Sequence, residues 1–218
     1  MEAAKEHKID LFVKTNSECF LGMFELTTEK KPDFVLFWDK DILLAKYLAS
    51  CGIPVYNSAE GIEICDDKRK TALALSLQNL PQPLTFPAPM TYENIGFLQL
   101  DFLSQIESKL VFPIIVKEAF GSFGQQVYMA KDHKELSELT KKLENVPFLY
   151  QQYIRESSGR DIRLQVVGDE VVAAMERTSD TDFRANVSNG GKMHVYQPDK
   201  EAVELAVKAC RAVKCDFA

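Results

Sequence analysis

The sequence predicts an α/β protein whose larger part consists of α+β lobes with mixed and antiparallel sheets. Three observations predict this fold class. Short apolar segments alternate with an amphipathic helix over about the first sixty residues, which indicates a small parallel layer. An apolar run ends at Lys117, and a loop with two glycines separates it from a second strand-like segment. Two further strand-like segments flank Gly168-Asp169, a dipeptide typical of a hairpin turn.

Composition narrows the class of protein. Of its 218 residues, 46% are hydrophobic and 27% are charged, as in soluble globular proteins of one or two domains. The net charge of -6 argues against a nucleic-acid partner, because such partners require a basic face. The longest apolar run, Leu110–Val116, is too short to span a bilayer, and the charged amino terminus has no signal-peptide core. Five cysteines without a CxxC pair predict free thiols in a reducing cytoplasm, and three scattered histidines give no zinc pattern.

The parallel layer is predicted from the first segments of the chain. Residues 9–13 and 34–38 have the apolar character of strands, and residues 53–56 have it again. Between them, the apolar positions from Asp39 to Ser50 suit an amphipathic helix that ends at Cys51-Gly52. Since the chain opens on what looks like the end of a helix, we expect this layer to lack a first strand.

The next region is predicted to be helical and then irregular. Residues 58–77 favour helix, with Asp66 and Asp67 as caps for its second half. Four prolines between residues 81 and 89 predict an extended linker without regular structure. A helix is expected near residues 98–109.

The central unit begins with strands at residues 111–117 and 126–130. Asp132 is predicted to cap a helix that runs to Leu143, and residues 148–153 form a further strand. Residues 162–167 and 171–175 are expected to form a hairpin, and a last helix is expected over residues 200–213. A two-residue turn would place six residues on one polar face of that hairpin: Asp161, Arg163, Gln165, Val172, Ala174 and Glu176.

Three features suggest anion binding. Glycines in Gly121-Ser122-Phe123-Gly124 allow the backbone N–H groups to approach phosphate oxygens, although an ordinary turn would look the same. Lys117 ends a strand of otherwise apolar residues, where an ammonium needs either solvent or an anion. Arg184 and Asn186 alternate in a segment expected to be extended, so both are predicted to point toward a phosphate or carboxylate.

Taken together, these residues resemble the ATP-grasp superfamily and, within it, the RimK-like glutamate ligases. The order and spacing of five segments over about residues 33–218 carry the resemblance. They are Cys65-Asp66-Asp67-Lys68, residues 116–124, Gln151-Gln152-Tyr153-Ile154, Gly159-Arg160-Asp161-Ile162-Arg163, and residues 182–191. The resemblance implies an incomplete Rossmann-like pre-ATP-grasp domain at 1–65, a small lobe with a glycine loop at 66–150 and an incomplete large lobe at 151–218.

The resemblance also implies roles for individual residues. Lys68 and Lys117 match the lysines that hold the nucleotide phosphates, and Gly121, Ser122, Phe123 and Gly124 match the loop that covers them. Gln151, Gln152, Tyr153 and Ile154 match the hinge that meets adenine, and Asp161 matches the residue near the ribose. Arg163 and Arg184, with Asn186, match positions near the phosphates and the acyl-phosphate. Gln152 and Gln125 depart from the family pattern, which often has glutamate and a third glycine there.

Two functions remain open at this point. The first is an ATP-dependent carboxylate–amine ligase that adds glutamate or a similar amino acid to a carboxylate acceptor through an acyl-phosphate. The second is a non-catalytic or degenerate nucleotide-binding module. The family's magnesium ligands would lie beyond residue 218, so the chain looks truncated at both ends and is expected not to turn over as given. Expected partners are ATP and amino-acid, peptide or carboxylate substrates, and a homo-oligomer is left open.

Overall fold

The computed structural model describes residues 2–19 and 31–218. The chain separates into two compact units, Met1–Ala59 and Glu60–Ala218. The boundary between the units therefore lies before residue 60, whereas the lobe boundaries at 65/66 and 150/151 stay predictions.

In the first unit, a helix joins two short parallel strands. Helix α1 spans Glu2–Glu6, strand β1 Val35–Leu36, helix α2 Ile42–Ser50 and strand β2 Val55–Tyr56. Val35 pairs with Val55 in parallel. The Asp41 carboxylate accepts a hydrogen bond from the Leu44 backbone at 2.9 Å, which caps α2. The predicted parallel layer is confirmed in these elements.

The predicted strand at residues 9–13 is wrong. This segment has no regular structure, and its side chains face outward, with Val13 78% exposed. An apolar run becomes a strand only when a neighbour completes the hydrogen-bond ladder. Within the described ranges, no strand pairs with this segment.

The second unit begins with two helices where the sequence favoured one helical stretch. Helix α3 spans Ala59–Asp66 and helix α4 spans Lys68–Leu77. Asp67 separates them and caps α4, since its carboxylate accepts a hydrogen bond from the Arg69 backbone at 2.9 Å. The cap prediction at Asp67 is therefore confirmed.

A four-stranded antiparallel sheet follows, in the order β3-β6-β4-β5. Its strands are β3 Thr85–Pro87, β4 Ile114–Glu118, β5 Val127–Ala130 and β6 Phe148–Gln152, accompanied by helices α5 Phe102–Lys109 and α6 His133–Lys142. The two helices cover one face of the sheet. The buried residues of that core are Leu103, Ile106, Leu110, Ile114, Val116, Ala130, Leu136, Leu143, Phe148 and Tyr150.

The prediction of an irregular proline linker is wrong at β3. Thr85 and Phe86 pair with Gln151 and Tyr150 of β6, and Phe86 packs against the core. Proline cannot donate to a ladder, but β3 lies at the edge of the sheet, where a missing donor is tolerated. Proline content thus masked an edge strand.

A three-stranded antiparallel sheet, in the order β7-β8-β9, completes the unit with helix α7. The elements are β7 Arg160–Val167, β8 Glu170–Thr178, β9 Lys192–Val195 and α7 Lys200–Ala212. The chain then returns to β7, where Val166 and Ala218 exchange backbone hydrogen bonds of 2.7 and 3.0 Å. The predicted hairpin and last helix are confirmed.

The predicted polar face of the hairpin is wrong because of a β-bulge. Val167 pairs with Glu170 as expected, but the register shifts between Gln165 and Val166. Val172 is the extra residue, and every pair further from the turn moves by one position. Asp161 therefore faces Arg177 instead of Glu176. Val172, Ala174 and Glu176 do not share a face with Asp161, Arg163 and Gln165.

Among the helices of the described residues, none is long and apolar enough to cross a membrane.

Candidate functional site

The site lies on the face of the four-stranded sheet that α5 and α6 leave uncovered. Alternation along β4 places Val116 in the core and Lys117 on the opposite face. The same alternation along β6 puts Tyr150 in the core and Gln151 beside Lys117. The sheet thus packs one face against α5 and α6, and its other face carries Lys117 beside the buried apolar residues Ile115 and Leu149.

A chain of hydrogen bonds fixes the Lys117 side chain. Its Nζ donates to Gln151 Oε1 at 2.6 Å, Gln151 Nε2 donates to Thr85 Oγ1 at 2.8 Å, and the Thr85 hydroxyl donates to the Pro83 carbonyl at 2.7 Å. Because Thr85 Oγ1 accepts from the Gln151 amide, the amide oxygen is turned toward Lys117. Sequence reasoning missed Thr85, since it placed this residue in an irregular linker.

Lys117 lies in an unfavourable environment for a cation. Burial lowers the pKa of its ammonium, and the like charge of Lys68 lowers that pKa further. In the part of the chain that the structure describes, Lys117 forms no ion pair with a carboxylate. A bound anion would relieve both effects, because it would supply the missing opposite charge.

Lys68 reaches the same region from the start of α4. Burial acts to raise the pKa of Asp67, but hydrogen bonds from Arg69 outweigh it and hold that pKa below its usual range. This capped turn orients Lys68, whose backbone N–H donates to the Ala119 carbonyl at 3.0 Å. The Lys68 ammonium donates to the carbonyls of Ala119 and Gly121 at 3.3 and 3.0 Å.

The glycine loop, Gly121–Gly124, has three residues with positive φ. These angles are 113° at Gly121, 61° at Phe123 and 75° at Gly124. Three carbonyls of the loop accept hydrogen bonds from distant side chains: Gly121 from Lys68, Phe123 from Ser188 at 3.0 Å, and Gly124 from Arg184 at 2.7 Å. Ser122 is exposed. The loop is therefore held by residues that precede and follow the central sheet in sequence.

Arg184 is held in place by a neighbouring carboxylate. Asp182 accepts from Arg184 Nε at 3.0 Å and from its terminal nitrogen at 2.7 Å. Hydrogen bonds from Arg184 keep the pKa of Asp182 below its usual range. The segment is not a strand, so the predicted extended alternation of Arg184 and Asn186 is wrong. The loop contact nevertheless brings Arg184 to the region of Lys68.

The β7–β8 hairpin presents a second charged arrangement. Arg177 donates to both Asp161 oxygens at 2.7 and 2.6 Å, and only 12% of its side chain is exposed. Sequence reasoning missed Arg177, and the bulge that creates this pair left no signal that would have identified it. Arg163 is exposed, and no hydrogen bond among the described residues joins it to Lys68, Lys117 or the glycine loop.

The remaining predicted site residues occupy the end of β6 and the segment before β9. Gln152 Oε1 accepts from the Leu84 backbone at 3.3 Å. The Tyr153 ring contacts the Phe183 ring edge-on at 6.4 Å between centroids. The Ile154 carbonyl accepts from the Ser157 N–H at 3.2 Å, and the Asn186 carbonyl accepts from Gly191 at 3.2 Å. These contacts fix the backbone and leave the adenine-contact prediction as a prediction.

Magnesium was expected to need ligands beyond residue 218. Across residues 2–19 and 31–218, the structure contains no group of three or more His, Cys, Asp or Glu residues that could hold a metal ion. Three described carboxylates near the site, Asp67, Asp161 and Asp182, are paired with arginines. The described residues therefore do not fit a magnesium site.

Thr85→Val is expected to weaken ADP binding about three- to ten-fold, because it removes one hydrogen bond that orients Gln151. Without that orientation the Lys117 ammonium loses its hydrogen-bond acceptor, which should lower the pKa of Lys117 further. ADP affinity, which declines as Lys117 loses its proton, should therefore decline at a lower pH in the variant. Calorimetric titration with ADP across pH would measure both effects.

Thr91→Val provides the matched control, because among the described residues the Thr91 hydroxyl donates only to a local carbonyl, that of Gly96. An unchanged ADP affinity and pH profile in Thr85→Val would contradict the orienting role of Thr85.

Arg184→Gln is expected to speed amide hydrogen exchange in the glycine loop, because the loop loses its contact with the segment around residue 184. In the unchanged protein, ADP should slow exchange at the same amides. Arg160→Gln, which removes an exposed pair with Glu176, serves as the control. Equal exchange with and without ADP would show that the loop does not cover a nucleotide.

Comparison with known proteins identifies the family. A family model described as RimK-like ATP-grasp domain matches residues 57–218. The chain is 34% identical over 205 residues to the Mycoplasma genitalium protein named Uncharacterized protein MG012, covering 89% of this chain and 71% of that protein. It is 31% identical over 180 residues to Beta-citrylglutamate synthase B of Danio rerio, covering 82% of this chain and 43% of the relative. This chain thus spans less than half of the Danio rerio relative.

A solved structure shows the same fold. The RimK domain protein ATP-grasp from Sphaerobacter thermophilus superposes with a TM-score of 0.60 at 20% identity, over 81% of this chain and 61% of that structure. The predicted fold class is confirmed by this likeness. The match over residues 57–218 also confirms the family inferred from the five ordered segments. The chain therefore belongs to the RimK-like ATP-grasp family.

Proposed function

We propose that the protein binds ATP on the face of the four-stranded sheet opposite α5 and α6 and uses it to join an amine to a carboxylate. The observation that carries the proposal is the half-buried Lys117 ammonium, which lies near Lys68 and has no carboxylate partner among the described residues. Adjacent cations of this kind are stabilised by a polyphosphate. Arg184 and the glycine loop supply further donors within the same region.

The proposed reaction has two steps. A carboxylate oxygen attacks the terminal phosphorus of ATP, the bond to the bridging oxygen breaks, and ADP leaves. The nitrogen of an incoming amine then attacks the acyl carbon, phosphate departs with the acyl oxygen, and the nitrogen loses a proton to give the amide. Lysine and arginine would stabilise charge on the transferring phosphoryl group and orient it.

The name of one relative supports a proposed substrate class. The name Beta-citrylglutamate synthase B describes a product in which glutamate is joined to a carboxylic acid. We therefore propose that the amine is glutamate or a similar amino acid and that the acceptor is a small-molecule or peptide carboxylate. Arg163 is proposed to contact the acyl-phosphate, since its side chain on β7 is exposed.

The test is release of ADP by this chain and by a form extended beyond residue 218, in the presence of ATP, magnesium, glutamate and a panel of carboxylates. Glutamate-dependent ADP release that requires one of the carboxylates would support the ligase. ADP release that aspartate, lysine and glutamate support equally would contradict the choice of glutamate. Hydrolysis without any amide product, measured by mass spectrometry, would contradict amide formation.

The second candidate is a nucleotide-binding module without catalysis. Gln125 and Gln152, which depart from the family pattern, favour it. Tight ADP binding without turnover under all substrate combinations, by a form extended beyond residue 218, would identify this function. Lack of ADP binding would contradict both candidates.

A further inference from the structure

Two cysteine thiols lie together at the junction of α3 and the segment after α7. Cys65 Sγ and Cys215 Sγ are 3.5 Å apart, although 150 residues separate them in sequence. Cys65 is exposed near the end of α3, and Cys215 is half-buried. We refer to these two residues as the thiol pair.

Packing around the thiol pair fixes its geometry. A Cβ at Gly61 would lie 2.5 Å from the Lys214 carbonyl oxygen, so the absence of a side chain allows α3 to approach this segment closely. The Lys214 ammonium donates to Glu60 Oε1 at 2.5 Å across the same junction. The neighbouring Cys210 thiol donates to the Cys215 carbonyl at 3.2 Å and is buried.

The two thiols differ in acidity. A hydrogen bond from Cys215 lowers the pKa of Cys65, which outweighs the opposing effect of burial. The same hydrogen bond raises the pKa of Cys215, and burial raises it further. Burial also raises the pKa of Cys210. Cys65 is therefore the most nucleophilic of the three, because the thiolate is the reactive form.

We propose that the thiol pair is an oxidation site at which a peroxide converts Cys65 and Cys215 into a disulfide. The Cys65 sulfur attacks the peroxide, the O–O bond breaks, and a sulfenic acid and one water or alcohol form. The Cys215 sulfur then attacks the sulfenic sulfur, its proton and the hydroxyl leave as water, and the S–S bond forms. The peroxide is reduced by two electrons, which the two thiols supply.

The geometry requires little movement for this step. An S–S bond of about 2.05 Å needs the sulfurs to approach by roughly 1.5 Å, which side-chain rotation of two adjacent cysteines supplies. Cys65 precedes Asp67 and Lys68 by only two and three residues, and Cys215 precedes the residues that pair with β7. The disulfide would therefore tie the start of α4 to the β7 sheet. This inference does not depend on the proposed ligase activity.

The test is peroxide treatment of the reduced 218-residue chain, followed by thiol counting and tryptic mapping without reductant. We expect loss of two of the five thiols and a covalent link between fragments 47–68 and 215–218. Cys65→Ser and Cys215→Ser should each abolish the link, and Cys215→Ser should leave a Cys65 sulfenic acid that dimedone captures.

Two controls identify the participating residues. Fragment 47–68 also contains Cys51, so Cys51→Ser must retain the link if Cys65 forms it. Cys210→Ser must retain it as well, because Cys210 lies in the separate fragment 209–211. Retention of all five thiols, a link to 209–211, or links only between two chains would overturn the proposal.

Discussion

Lys117→Met is expected to weaken ADP binding about ten- to a hundred-fold. A charge-assisted hydrogen bond to phosphate contributes roughly 1.5–3 kcal/mol, and methionine removes it while preserving most of the side-chain volume. Calorimetric titration with ADP measures the change. Lys142→Met is the matched control. The Lys142 ammonium lies over the Tyr128 ring, and Tyr128 pairs with the core residue Val116. Lys142 is therefore on the opposite face of the sheet from Lys117.

Lys117→Met is also expected to unfold at a higher urea concentration than the unchanged protein at neutral pH. Burial and Lys68 lower the pKa of Lys117, so the folded chain carries an unfavourable ammonium wherever that group is charged. At pH values between the lowered pKa of Lys117 and its ordinary value near 10.4, the unfolded chain binds more protons than the folded chain. The free energy of unfolding therefore rises with pH over this interval. The advantage of Lys117→Met should therefore be largest at neutral pH and shrink as the pH rises through this interval.

These two measurements separate a binding role from a structural one. Weaker ADP binding together with higher stability is expected only if the lysine is retained for a ligand. Unchanged ADP affinity would contradict the assignment of Lys117 to the nucleotide site. Lower stability in the variant would show that the ammonium stabilises the fold in the absence of a ligand.

Gly159→Ala is expected to destabilise the second unit by roughly 1–3 kcal/mol. Gly159 has a φ of 66°, and an added Cβ would lie 2.5 Å from the Ser179 carbonyl oxygen. Its backbone is fixed on both sides, since its N–H donates to Phe183 at 2.9 Å and its carbonyl accepts from Ser179 at 2.7 Å. Neither contact can move without displacing the segment that carries Asp182 and Arg184. Chemical denaturation measures the loss.

Gly168→Ala separates backbone strain from crowding. Gly168 has a similar φ of 59°, but an added Cβ would have nothing within 4 Å. The control should therefore be destabilised only by the strain of a left-handed backbone, by about 1 kcal/mol. Equal destabilisation of the two variants would contradict the role assigned to the Ser179 contact.

Local signals in the sequence were sufficient for much of the fold. Asp132 caps α6 as predicted, with its carboxylate accepting from the Glu135 backbone at 2.9 Å. The apolar run before Lys117 forms β4, and Gly168-Asp169 forms the hairpin turn. Each of these signals operates within a few residues, which is the range over which caps, turns and periodicity act. The order of five weak motifs then identified the family.

Features that depend on distant partners could not be predicted. Thr85 belongs to a strand only because β6 is available to pair with it, and Asp161 faces Arg177 only because a bulge shifts the register. The segment at 9–13 has the composition of a strand but lacks a neighbour in the described residues. In each case the deciding interaction lies far away in sequence, where composition carries no information about it.

The length of the glycine loop is fixed by its hydrogen bonds, which matters for protein engineering. Surface loops usually accept inserted residues, because lengthening a flexible connection costs little. Here three carbonyls within four positions accept hydrogen bonds from Lys68, Ser188 and Arg184, which fixes the number of residues between those acceptors. One added residue would displace at least one acceptor from its donor. The loop should therefore reject even a single-residue insertion, and sequence libraries for this region should vary residue identity at constant length.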